Sequence, residues 1–575
     1  MKAEGPSNRS CCAFVLALTL TGSWGLEAQE IWQIQGSGSR SPYEGETVTT
    51  PNDTVTAVGD DLFFIQTPDN RSDGDVWTSD GVLVRYSGSP VVRIGDRVRV
   101  AGGVVERYGQ TEISQGVSVT VNSSDHPLPM EVGFDSELPT PNQPWPETEL
   151  ERFEGMRVAI DHGMISGPTD SYGDAWATAS DRRLFREPGI EYPGLPGLPV
   201  WDGNPEAFEI DPDALGIAHV DLAAGSTFTA RGVLAYVFGS YQLWPTAFDV
   251  SQAPQVPASR SPGGAGVLTV ASQNCYRLAR TGGDVGYQDR LAKLSAQVRL
   301  ELGSPSVVAV QEVDSRSVLQ ELADKIEGDD AAVRYSAHLE EGNDPSGIDV
   351  GFLVRAGVAV GEVRQIGADV RFTWDQSLLF DRPPLILETE VADLILSVVV
   401  VHLKSLGGVE DPGTSGDRVR RKRFEQSQWL SEWVQDHQDS RPDDGLLVVG
   451  DFNAFEFSDG FVDVLGQITG LPDPAGALIP AETAVDPPLH NAVFMVSQDE
   501  RYSYIYRGSA EVLDHGLADQ TLVPLVRDVF YSRGNADAPL SKAGEEDSAD
   551  RSSDHDGLVI TLSPPVRAGG GRVRP

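Results

Sequence analysis

The chain is short of cysteine, of basic charge and of long apolar runs. Only 3 of its 575 residues are cysteine. Cys11 and Cys12 fall inside an N-terminal stretch that reads as a leader, so Cys275 alone would remain. An intramolecular disulfide framework is thereby excluded, and Cys275, on a buried-strand pattern, reads as packing. Lysine and arginine number 44 against 86 aspartates and glutamates, a formal charge of −42, with a pI near 4.4. That balance favours solubility and excludes broad adhesion to nucleic acid or anionic membrane. Beyond the leader no run is long and apolar enough to span a bilayer. CxxC and HExxH are missing and the 9 histidines are scattered, which leaves a zinc site without support. GxSxG, Walker and Rossmann glycine patterns are missing too.

What is present falls into successive textures. Residues 1–28 read as a secretory signal, with Lys2 and Arg9 as the basic start, 11–20 as the apolar core and Ala28 before cleavage. A secreted bacterial protein, extracellular or periplasmic, is the expectation. The length predicts more than one domain. Residues 29–125 show short β-branched runs punctuated by glycine (TVTAVG, DLFFIQ, GVLVRY, VRVAGGVVERYGQTEI) and predict an all-β, OB-like barrel. Gly102-Gly103 would let a strand bend at a corner. The acidic loop 69–81 is similar to a calcium loop, but Arg71 replaces a ligand and the terminal Glu is missing, so it reads as a hairpin loop. Residues 126–250 predict a second OB-like, β-rich domain, because GSTFTARGVLAYVFGSYQLWP echoes the first, with a Pro/Gly-rich insertion around YPGLPGLPVWDG. SQAPQVPASRSPGGAG (251–266) is a linker. From 267 to 565 buried strands alternate with amphipathic helices over 288–302, 317–326 and 418–438. The last begins RVRRKRFEQ, which reads as a solvated helix start. The Gly/Arg-rich tail 566–575 is expected to be disordered.

The chemistry gathers around GLLVVGDFN. An apolar strand ends on Gly450 and presents Asp451 and Asn453, whose i, i+2 spacing points both the same way. Other strand-like runs end in groups of matching use: Asn274 in SQNCY, Glu312 in VVAVQEV, His402 in VVVVHLKS, and Asp554 and His555 in RSSDHDG. Asp514 in VLDHG could orient a histidine, and Arg382 in FDRPPL adds a cation for an anionic substrate. Glu312 with Asn274 makes an oxygen-rich site suited to Mg²⁺ or Mn²⁺. Each residue alone reads as structural. Together they match phosphate-ester hydrolysis.

On these marks (SQN, QE, RPPL, HLKS, GDFN, LDH and SDHD), residues 267–563 resemble the endonuclease/exonuclease/phosphatase superfamily, the deoxyribonuclease-I-like fold. The resemblance implies an α/β (α+β) four-layer sandwich, preceded here by the all-β OB-like region. It implies that Asn274, Glu312 and Asp554 hold a divalent metal, Mg²⁺ or Mn²⁺, with Ca²⁺ admitted as an accessory ion. His402, Asp451, Asn453, Asp514 and His555 would be catalytic, with Arg382, Asn453 and His402 binding the phosphate. Gly516 follows LDH where a larger aliphatic is usual. The front half, YIYRGSAEVLDHGLAD and the GNAD at 534–537 are similar to large secreted bacterial nucleases. The implied function is a secreted, metal-dependent endonuclease on extracellular DNA, with RNA also admitted. The alternative is a phosphodiesterase or phosphatase on small or lipid phosphate esters, and a non-catalytic nucleic-acid-binding protein ranks below both. Nothing calls for a membrane or an obligate protein partner.

Overall fold

The computed structural model describes residues 28–563 except 89–90, 143–148, 253–266, 281–283, 345, 392–393, 474, 484 and 546–547. The expected leader, nearly all of the linker and the tail lie outside the described residues. Among those described, no helix is long and apolar enough to cross a membrane.

The front half holds two closed barrels of the same strand order. In the first, Asp53–Val58, Leu62–Gln66 and Gly81–Arg85 form an antiparallel meander. Gly81–Arg85 then runs parallel to Gln110–Ser123, which pairs back with Arg97–Arg107, and that strand closes the ring on Asp53–Val58. In the second, Arg157–Ile165, Ala175–Thr178 and Phe208–Ile210 form the meander. Phe208–Ile210 runs parallel to Ser240–Gln252, which pairs with Thr227–Val237, and this closes on Arg157–Ile165. Closure leaves few free edges for strands this short. A Cβ at Gly102 would meet the Ile113 side chain at 2.8 Å, and the ladder slips register beside it, so the strand bends where the glycine pair predicts. Each long hairpin turns on an aromatic–Gly pair, Tyr108-Gly109 and Phe238-Gly239, with φ of 55°, 99°, 49° and 100°. Two successive positive φ values match the right-handed twist of the flanking strands. The two aromatic rings meet each other, 5.4 Å between centroids.

The barrels differ in the loop between their second and third strands. In the first, Arg71 pairs with Glu30 at 3.1 Å and with Asp53, which ties that loop down as a hairpin connection. In the second, residues 179–207 carry Leu184–Phe185, Ile190–Glu191 and Val200–Trp201 and leave the barrel altogether. Leu184–Phe185 pairs in parallel with Ser509–Glu511 of the C-terminal half, whose other partner is Tyr504–Tyr506. Arg183 bonds Asp537 at 2.8 Å and Asn204 donates to Ser509 Oγ at 2.7 Å. The Arg186 guanidinium lies between the rings of Trp201 and Phe455, 4.1 and 4.7 Å from their centroids. A small sheet therefore crosses from barrel to catalytic half.

The C-terminal half is a sandwich of two six-stranded mixed sheets between helices. In one sheet Leu268–Leu278 lies parallel to Val307–Val313, and in the other Leu394–His402 lies parallel to Gly445–Asp451. Val398–Val401 is apolar at every position because both faces are covered. Val398 and Val400 pack between the sheets with Val270, Ala309, Val449 and Ile560, while Val399 and Val401 pack outward with Phe424, Leu430 and Val434 of the helix Thr414–Ser440. Helices Asp284–Ala296 and Arg316–Asp329 cover the other sheet through Leu291, Leu294, Leu319 and Leu322. The helix expected over 288–302 loosens into one wide turn at Gln297–Glu301.

Gly516 shows why the larger aliphatic is missing. A Cβ there would stand 2.2 Å from Ile560 Cδ1, between the two sheets. Gly516→Ala should lower stability by about 1–3 kcal/mol through overpacking, and Ile560→Val in the same chain should restore part of the loss; thermal melts of the two variants read this directly.

Candidate active site

The sandwich topology brings the strand ends to one edge. His402, Asp451 and Asp514 are register partners across three neighbouring strands, so they form one row of the ladder. In the facing sheet Asn274 is the register partner of Gln311, next to Glu312, and Leu558, three residues past His555, pairs with Ser272. Asn274 bridges the sheets: its Nδ2 donates to Asp451 Oδ2 at 3.2 Å and to Glu312 Oε1 at 3.4 Å. His402 Nε2 lies 3.5 Å from Asp451 and 3.9 Å from Glu312. His555 Nδ1 meets Asp514 Oδ2 at 2.7 Å, and the Tyr504 ring covers the imidazole at 4.9 Å. Arg382, whose Nη2 donates to Leu403 O at 3.0 Å, stands on the wall beside them.

The backbone is bent to do this. Tyr276, Arg277, Glu312 and Asn453 all have positive φ, from 47° to 61°, a conformation that costs a non-glycine residue about 1–3 kcal/mol and clusters at functional sites. At Glu312 the ladder slips register between Val310 and Val313. The carboxylate then faces the site and accepts the Arg277 N–H at 3.0 Å. Asn453 N–H donates to Asp451 Oδ1 at 2.8 Å, and its Nδ2 donates to Leu403 O at 3.2 Å.

Several supporting groups lie outside the strand-end pattern. Arg423, almost fully buried, donates to the carbonyls of Lys404 and Asn453 at 2.7 Å each and pairs with Asp459 at 2.9 Å. Arg420 and Lys422 are buried as well, Lys422 against Asp381. The basic helix start expected to be solvated is therefore internal in part: Arg418 and Arg421 stay half-exposed, while Arg420 and Arg423 supply donors to loops whose carbonyls have no ladder partner. Around SDHD, Arg533 pairs with Asp556 at 2.8 Å, and Asn535 Oδ1 accepts from Ser552 and from Ser553 N–H. The GNAD segment thus braces the loop that carries Asp554 and His555. The buried pair Arg423–Asp459 could be guessed only from the fold that encloses it.

Electrostatics follow from crowding. Burial pushes the Asp451 carboxyl up to about 7; the positive His555 pulls it down, while Asp514 and Glu312 add to the rise. Burial also works against charge on His555, but Asp514, Asp554 and Asp451 outweigh it and hold the ring well above the ordinary histidine value. His402 is driven the other way, by burial and by the positive charges of Arg382, His555 and Arg277, and stays neutral. Among the described residues no three His, Cys, Asp or Glu side chains surround a common point as a closed metal site. The donors nonetheless fit a hard cation that keeps most of its waters. Glu312, Asp451 and Asp554 face one cavity, with Asn274 between the first two, and their repulsion is what a divalent ion would relieve. The resemblance assigns such an ion to Glu312, Asn274 and Asp554; Glu312 and Asp554 line the cavity, and Asn274 lies behind, joined to Glu312 and Asp451.

Residues 271–555 match the model of the endonuclease/exonuclease/phosphatase family. This half of the chain belongs to that family. Residues 149–255 match a domain of unknown function, DUF8508. No curated protein matches the sequence. Among solved structures, a humanized D. rerio TDP2 is similar at 18% identity, over 52% of this chain and 99% of that one, with a TM-score of 0.35. The human Nocturnin catalytic domain is similar at 16% identity, over 52% and 94%, with a TM-score of 0.34. ANGEL2, described as a 2′,3′-cyclic phosphatase, is similar at 13% identity, over 52% and 95%, with a TM-score of 0.33. Family membership makes the domain a hydrolase of phosphate esters and diesters, in a family that generally depends on a divalent metal.

The cavity that these side chains line has a volume of about 570 Å³, and Arg186, Arg277, Arg382 and Arg507 all reach it. Its titration is testable through stability. Asp451 has a raised value in the fold, so its contribution is favourable at low pH and is lost as pH rises from the unfolded carboxylate range through about 7. Asp451→Asn should therefore melt higher than the parent in chelator, by a margin that grows from about pH 5 to about pH 8. A constant margin would show that Asp451 titrates normally.

Proposed function

We propose that the protein is a secreted, metal-dependent endonuclease that hydrolyses phosphodiester bonds of extracellular DNA, and of RNA where it meets it. The observation that carries the reading is the row His402–Asp451–Asp514 with His555 on Asp514, opening into an arginine-lined cavity. Mg²⁺ or Mn²⁺, when bound at Glu312, Asn274 and Asp554, would polarise the phosphate and neutralise its charge. Water attacks phosphorus and gives its proton to Asp451, whose value near 7 suits a base at neutral pH. Asn453 holds Asp451 in place through its backbone N–H. The P–O ester bond breaks on the opposite side, and the leaving oxygen takes a proton from His555.

The raised value of His555 suits proton donation, and Asp514 fixes the donor by holding Nδ1. Neutral His402 and cationic Arg382 face the phosphate oxygens as they gain charge. The strand order of both barrels supports an OB-like reading of the front half, a fold that commonly binds single strands. The charge of −42 opposes binding of a polyanion, so the arginines and the metal must offset it locally.

The test is cleavage of circular plasmid by the purified protein with Mg²⁺ or Mn²⁺. Nicking should require the ion, and Glu312→Ala or His555→Ala should lower it by about 10²–10⁴-fold, the usual range for loss of an acid–base group. Intact plasmid alongside hydrolysis of small or lipid phosphodiesters would favour the alternative substrate class and overturn the nuclease reading.

A further inference from the structure

The insertion of the second barrel does more than fasten the two halves together. The catalytic cavity and a second cavity of about 610 Å³ share Glu191, Trp201, Tyr506 and Arg507. The two open spaces adjoin at these four side chains, which mark the path from one to the other. From the catalytic end it passes over the saddle of Trp201, Tyr506 and Arg507, then reaches Tyr192 and Phe238 near the hairpin tips of the barrels. Three of those aromatics are exposed. Phe238 is 83% exposed, Tyr506 51% and Tyr192 48%. Trp201 is buried, and its indole N–H has no hydrogen-bond partner. Phe238 is further presented by a strained turn and by its contact with Tyr108 of the first barrel.

Aromatic faces spaced along a channel that starts at a phosphate-cleaving centre suit unpaired bases, because every base has a face to stack. Glu151, Glu191 and Asp202 also border the second cavity, with Arg40 and Arg507 as cations. Phosphates gain little there, so stacking has to supply the affinity. A duplex hides its base faces and could use none of it.

We propose that this groove is a single-strand track: a polynucleotide bound for cleavage runs from the catalytic cavity over Trp201 and Tyr506 and stacks on Tyr192 and Phe238. This deepens the nuclease reading and rests on it. The insertion at 179–207 is then the specificity element, and the barrels act in cleavage through the bases flanking the scissile phosphate.

The experiment compares kcat and KM of the full protein on a labelled single-stranded oligonucleotide of about 20 residues with those on a dinucleotide, the shortest strand that still holds a phosphodiester. The parent should favour the longer strand in kcat/KM by about tenfold or more, the weight of one or two base–aromatic stacks. Phe238→Ala, at an exposed site, should abolish that preference through KM and leave kcat on the long strand in place. Phe238→Trp should restore it. Equal kcat/KM for both lengths in the parent, a preference that survives Phe238→Ala and Tyr506→Ala, or a preference for duplex would each overturn the track while leaving the nuclease reading intact. Failure to cut any polynucleotide, with a small phosphodiester still hydrolysed, would bring down the nuclease reading itself.

Discussion

Negative charge forced together at the edge of two sheets is the constraint on which the rest depends. Asp451 and Asp514 are direct ladder partners, and the Asn274 amide leads from Asp451 to Glu312. Buried carboxylates this close cannot all be ionised without a compensating cation. The fold answers in three ways visible in its geometry. His555 is held protonated on Asp514, Asp451 shifts up to about 7, and Asn274 places an amide between two acids. The strained backbone at Glu312 and Asn453 persists because Arg423, Arg533 and the two hydrophobic layers hold their surroundings fixed. Stability is spent to keep a polar edge that a divalent ion and a phosphate can enter.

The same logic explains why the front half is joined where it is. Two barrels share one strand order, and a single loop has grown in the second. That loop places Leu184–Phe185 on the hairpin strand Ser509–Glu511. The partner strand carries Tyr504, whose ring covers His555. Packing between the barrel insertion and the catalytic half thus reaches His555 within two strands.

Much of the site was legible because it sits at strand ends. An apolar run that stops on Asp, Glu, His or Asn reveals both the strand and the group it delivers, so Asn274, Glu312, His402, Asp451, Asp514 and His555 could be named, and the structure brings them to one edge. Apolar runs such as VVVV showed buried strands alternating with helices, while the four-layer sandwich came from the family resemblance. What stayed hidden depends on distant neighbours. Arg420, Lys422 and Arg423 look like a solvated helix start until the loops after His402 and Asp451 close over them. The YPGLPGLPVWDG insertion looks like a surface decoration, and no local pattern announces that Trp201 ends in the catalytic cavity. Gly516 could be seen as a departure, but its cause, the Ile560 side chain across the sandwich, could not.

The central claim, that a divalent cation relieves this carboxylate cluster, is tested most directly by calorimetric titration of Mg²⁺ into the protein near neutral pH, in two buffers of different ionisation enthalpy. Binding should release protons, chiefly from Asp451, and should be lost in Glu312→Ala. Binding without proton release, or binding of the same strength in Glu312→Ala, would contradict it.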